Sequence, residues 1–88
     1  MIYEDDEIIA FNDINPKAEI HFMVIPKLHI ESMLQLEESH IPLMGKMMFL
    51  ANRIALEQKL HGYKVQVNTG KKGGQEVFHL HIHIFGNL

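Results

Sequence analysis

The chain has 88 residues, 47% of them hydrophobic and 22% charged, with a formal net charge of −3 at pH 7. That suits one small globular domain and excludes the basic footprint of a nucleic-acid binder, since no run of Lys or Arg stands out. With no cysteine, disulfides and thiolate metal sites are excluded too. No apolar run reaches bilayer length, and the acidic start Glu4-Asp5-Asp6-Glu7 is no secretory signal, so the expectation is a cytoplasmic protein with no membrane partner.

Taken in chain order, Glu7 to Asp13 reads as a strand that ends at the turn signal Asn12-Asp13-Ile14-Asn15-Pro16. Ile20 to Ile25 reads as a second strand closed by Pro26, with Ile20, Phe22 and Val24 on one face and His21, Met23 and Ile25 on the other. A short helix is expected around Glu31 to Leu36. The long helix has Ser39 as its expected N-cap and Pro42 in its first turn. Leu43, Met44, Met47, Met48, Leu50, Ala51, Ile54 and Ala55 form a broad apolar stripe along it, and Gly62 is its expected stop. Tyr63 to Thr69 alternates as a third strand. The loop Gly70-Lys71-Lys72-Gly73-Gly74 then leads into a fourth, and the two strands are expected to pair as a hairpin with Asn68 beside the fourth.

That fourth strand carries the chemistry. On an extended backbone Val77, His79, His81, His83 and Phe85 share one face, while Phe78, Leu80, Ile82 and Ile84 form an apolar face that wants a core. A row of imidazoles offers nucleophile, acid, base or metal ligand near neutral pH. A metal site is the competing reading, but residues i and i+4 of a strand lie ~13 Å apart, so the three rings cannot converge on one ion without a sharp bend. A purely structural ladder of histidines is the bland reading. The Gly loop can offer backbone N–H groups to an anion, with Lys71 and Lys72 nearby, or be an ordinary flexible hairpin loop. Asp13 reads equally as a turn cap or a ligand group. His29, His40 and His61 read as surface or helix-end residues.

Asn68-x-Gly70 followed by Gly74-Gln75-x-Val77-x-His79-x-His81-x-His83 resembles the signature of the histidine triad (HIT) hydrolases, most closely the Hint branch of nucleoside phosphoramidase-like proteins. Upstream, Tyr3-Glu4-Asp5-Asp6, Ala10 to Ala18 and His21-Phe22-Met23-Val24-Ile25-Pro26-Lys27-x-His29 are similar to that branch as well. The resemblance implies an α+β fold, an antiparallel sheet with one long helix and a short helix on one face. It implies a single domain over residues 1–88, shorter than its longer relatives by an N-terminal strand and a C-terminal tail. It implies His81 as the nucleophile that becomes nucleotidylated, His83 as a phosphate contact, His79 as the residue whose main chain holds the nucleophile's ring, and His21 as a supporting histidine. Asp13 would take the ribose hydroxyls, with Phe11 and Ile14 near the base. Asn68, Gly74, Gln75, Glu76 and Val77 would line the phosphate and leaving group, Glu76 standing where some Hint proteins have a serine.

The resulting expectation is a homodimeric hydrolase of purine nucleoside 5′-phosphoramidates or related AMP-linked compounds, working through a nucleotidyl-histidine without metal or cofactor. The alternatives are a dinucleoside polyphosphate hydrolase and a nucleotide-binding module with little turnover. A histidine nucleophile suits two-step phosphoryl chemistry because imidazole attacks when neutral and departs readily when protonated.

Overall fold

The computed structural model describes residues 1–88 and contains one sheet of five antiparallel strands. They are β1 (Tyr3–Glu4), β2 (Ile8–Asn12), β3 (Ile20–Pro26), β4 (Lys64–Gln66) and β5 (Ile82–Gly86), in spatial order β1-β2-β3-β5-β4. One α-helix, α1 (Ile41–Glu57), lies between β3 and β4 in the chain. The registers Ala10↔Val24, Val24↔Ile82 and Phe22↔Ile84 place one apolar row after another on the same face. Those residues join Ile8, Met47, Leu50, Ala51, Ile54, Ala55 and Leu60 in one buried cluster, so α1 covers this face of the sheet.

On the other face the register aligns Phe11, Met23, His83 and Gln66 across four strands, and beside them His21, Phe85 and Lys64. Strand alternation thus separates core from site with the period of two read from the sequence.

Several local features depart from the sequence reading. The short helix is a single 3₁₀ turn, Met33–Gln35, capped by Ser32 Oγ, which accepts the Leu34 N–H at 3.1 Å. Ser39 does not cap α1. It lies in a second 3₁₀ turn, Glu38–His40, where His40 Nδ1 accepts the Glu37 N–H at 3.0 Å. Gly62 does not stop the helix either. Lys59 does, at φ 68°, with Lys59 N–H donating to Leu56 O at 2.9 Å and Leu60 N–H to Ala55 O at 3.0 Å. That is a Schellman closure with a lysine where glycine is usual, held because Leu60 is completely buried. Met48 lies 45% exposed, outside the buried stripe that was expected to include it.

The histidine strand is shorter than expected. Regular pairing starts at Ile82, because Leu80 N–H donates to Ile30 O at 2.7 Å and so ties residues 79–81 to the segment after β3. Phe78 consequently sits 46% exposed and not in the core. The third strand contracts in the same way to Lys64–Gln66. Near the end of β5, Gly86 passes so close to the segment before β4 that a Cβ would lie 2.7 Å from Gly62 O, closer than any side chain tolerates.

Candidate active site

A cleft of about 660 Å³ opens on the sheet face away from α1, a volume that suits a small-molecule ligand. It is lined by Phe11, Asp13, Ile14, His21, Asn68, Gly74, Gln75, Glu76, Val77, His81 and His83. Of the residues singled out from the sequence, His79 alone is absent from that wall. Asn12, Asn15, Lys17 and Met23 line it too and were not anticipated. Met23 was legible, since it shares the His21 face of β3; nothing local marked Lys17.

The geometry fixes where the ring protons lie. His81 Nδ1 is 2.7 Å from the carbonyl oxygen of His79, an acceptor only, so Nδ1 carries the proton. In the neutral ring Nε2 then holds the lone pair. His79 turns away from the cleft and donates from Nε2 to Pro26 O at 2.7 Å. Its Nδ1 meets Nδ1 of His29 at 3.4 Å, so His29 is exposed but partnered, a contact that only the fold creates. His21 Nδ1 accepts the Lys17 N–H at 3.1 Å, which puts the proton of neutral His21 on Nε2. That proton faces His83 Nδ1 at 3.0 Å, leaving the proton of His83 on Nε2. The rings of His81 and His83 stand edge to face with centroids 4.9 Å apart. Burial, then His81, then His21 lower the pKa of His83, so it is a neutral donor near pH 7 and not the cation that charge stabilisation would have suggested.

Asp13 serves first as a turn cap: Oδ1 accepts the Asn15 N–H at 2.8 Å. Its Oδ2 lies 3.5 Å from His21 Nε2 and 3.7 Å from His83 Nδ1. These three groups are spaced as ligands of one ion would be, since a tetrahedral ion with ~2.1 Å bonds sets its ligands ~3.4 Å apart. The proton inventory does not fit. A ligating nitrogen needs its lone pair, and His21 Nε2 carries a proton because Nδ1 is taken as an acceptor by Lys17. The convergence also differs from the one weighed from sequence: it draws one histidine from the row and joins it to β3 and the turn after β2.

The Gly loop differs from the anion nest considered above. The N–H groups of Gly73 and Gln75 donate to Gly70 O and that of Gly74 to Lys71 O, each at 3.1 Å, so the amides at Gly74 and Gln75 are spent inside the loop. Gly70 and Gly74 sit at φ 72° and 82°, the left-handed region this tight path requires. Gln75, only 4% exposed, is its anchor: Oε1 accepts the Gly70 N–H at 2.8 Å, and Nε2 donates to Glu31 O at 2.6 Å and Val77 O at 3.0 Å. Asn68 Nδ2 bonds Gly73 O at 3.0 Å. Of the wall residues Gly74 to Val77, the N–H groups of Glu76 and Val77 have no protein acceptor.

An antiparallel sheet backed by one helix, with alternating histidines leading into its interior strand β5, defines the histidine triad architecture. The solved HIT family hydrolase from Legionella pneumophila Philadelphia 1 has this fold, with a TM-score of 0.95 at 36% identity over 97% of this chain and 78% of that one. The histidine triad nucleotide-binding protein from Candida albicans is also similar, with a TM-score of 0.80 at 27% identity over 93% of this chain and 61% of that one. Protein HitA of Neisseria gonorrhoeae is 52% identical over 86 residues, 97% of this chain and 80% of HitA. Residues 1–87 match the family described as "Scavenger mRNA decapping enzyme C-term binding". The chain belongs to the histidine triad family.

Proposed function

We propose that the chain hydrolyses purine nucleoside 5′-phosphoramidates, or related AMP-linked compounds, through a nucleotide bonded to His81. The observation that carries this reading is the 2.7 Å bond from His81 Nδ1 to the His79 carbonyl, which commits Nε2 to be a lone pair facing a cleft of nucleotide size. Nε2 attacks the α-phosphorus, a P–N bond to the ring forms, and the bond to the leaving amine breaks as the amine takes up a proton from solvent, which the attacking water returns in the second step. Water then attacks the same phosphorus, the bond to His81 breaks, and AMP and the neutral ring are released. His83 Nε2–H, the side chain of Asn68 and the N–H groups of Glu76 and Val77 are the donors for the phosphoryl oxygens. Asp13, held by Asn15, meets the ribose with Oδ2, and Phe11 and Ile14 flank the base.

The likeness to a HIT family hydrolase from Legionella supports a hydrolase, and the likeness to a histidine triad nucleotide-binding protein from Candida supports a nucleotide ligand. The proposal includes a homodimer: Ile41, Met48, Phe49 and Leu56 leave an exposed apolar line on α1, and Val65 is exposed on the edge strand β4. The test is incubation of chelator-treated protein with an adenosine 5′-phosphoramidate. Stoichiometric release of AMP and amine is the expected result. No release, or release only after zinc is restored, overturns the reading.

A further inference from the structure

Two carboxylates line the cleft, and they are in different situations. Asp13 is spoken for by Asn15 and sits against His21 and His83. Glu76 makes no ion pair and its carboxylate accepts no hydrogen bond, although Lys71 and Lys72 are close in sequence. Its backbone nevertheless has little freedom. Gln75 before it is buried and bonded at both ends of its amide, and the Val77 carbonyl after it is held by that amide at 3.0 Å. A fixed Cα with an unpaired acidic side chain therefore projects from the wall where the free N–H groups lie.

We infer that Glu76 sets leaving-group specificity, favouring an amine whose chain carries a further ammonium, as an aliphatic diamine or lysine-type side chain does. The inference rests on the phosphoramidase reading above. A substrate phosphate bound by the Glu76 N–H brings its leaving group within reach of the same residue's carboxylate. A negative charge there attracts an ammonium and repels a polyphosphate. An ordered but solvated ion pair changes affinity by up to about fivefold, and one hydrogen bond to a charged group contributes about tenfold at the low end of its range.

The experiment compares two adenosine 5′-phosphoramidates of equal chain length, one ending in an ammonium and one in a hydroxyl, on the wild type, Glu76→Gln and Glu76→Lys. The readout is the ratio of kcat/KM values for the two probes. The wild type is expected to favour the ammonium probe about five- to tenfold at low salt, with the preference shrinking as salt screens it. In Glu76→Gln the ratio falls to near one whatever the absolute rates, and Glu76→Lys inverts it. A wild-type ratio near one, or one that survives in Glu76→Gln, overturns the assignment. Turnover of neither probe overturns the phosphoramidase reading instead. The Glu76 assignment is then decided by the two dissociation constants, equal values overturning it.

Discussion

His83 is held by surroundings that favour its neutral ring. Burial is the largest cause, and His81 and His21 add to it against the opposing pull of Asp13. Unfolded, the same imidazole titrates at its ordinary value of 6.5; folded, it titrates lower. Between those two values the unfolded chain binds more protons, so stability falls as pH drops below 6.5 and continues to fall through the folded value. Replacing His83 by Gln removes this contribution. The urea midpoint of His83→Gln should therefore decline less steeply than wild type from neutral to mildly acid pH, and an unchanged slope would contradict the neutral-donor role. At the same scale, three ring protons are set directly by a backbone group, the His79 carbonyl for His81, the Pro26 carbonyl for His79 and the Lys17 amide for His21, and that of His83 follows from His21. Backbone partners of this kind do not depend on side-chain rotamers, which suits a site whose geometry must be fixed before substrate arrives.

At the scale of elements, Lys59 is a local misfit that tertiary packing overrules. A non-glycine residue in the left-handed region costs roughly 1–2 kcal/mol, part of which glycine returns as lost freedom of the unfolded chain. Lys59→Gly should thus stabilise by about 1 kcal/mol and raise Tm by ~4–8 °C in a domain of this size, read by calorimetry. A fall in Tm would show that the lysine chain packs usefully. The same position shows why the sequence was only partly legible. Alternation in residues 20–25 and helical spacing in residues 43–55 are local patterns, and both elements formed close to where those patterns put them. The end of α1 was misplaced because burial of Leu60 outweighs the preference for glycine. The late start of β5 was missed because its cause, the bond from Leu80 to Ile30, joins residues far apart in the chain. The site follows the same rule. The face shared by His81 and His83 was read from alternation, whereas the cross-strand joining of Asp13, His21 and His83, the His29–His79 pair and the spent loop amides required the fold.

On the scale of the whole molecule, the sheet has unequal faces. One is closed by α1; the other is open and polar around the cleft. The outer side of α1 remains apolar at Ile41, Met48, Phe49 and Leu56, and beside it a groove of about 390 Å³ runs between Leu36 and Met48. A second copy covering α1 and the β4 edge would bury these residues, and methionines adapt well to such a contact. Obligate dimer interfaces bury about 2,000 Å² or more. Sedimentation at micromolar concentration should show twice the 10.2 kDa of one chain, and Phe49→Glu should shift the population toward monomer. A wild-type species of 10.2 kDa alone would contradict the dimer.

In the proposed reaction His81 Nε2 is the atom that bonds to phosphorus. The most direct measurement is acid-free quenching of the protein during turnover of an adenosine 5′-phosphoramidate, followed by intact-mass and peptide mass spectrometry, on wild type and His81→Asn. The wild type should carry one AMP moiety, located at His81. His81→Asn should carry none and lose at least several orders of magnitude in kcat, about 5 kcal/mol or more, while still binding AMP. An adduct on His79 or His83, or wild-type turnover by His81→Asn, would contradict it.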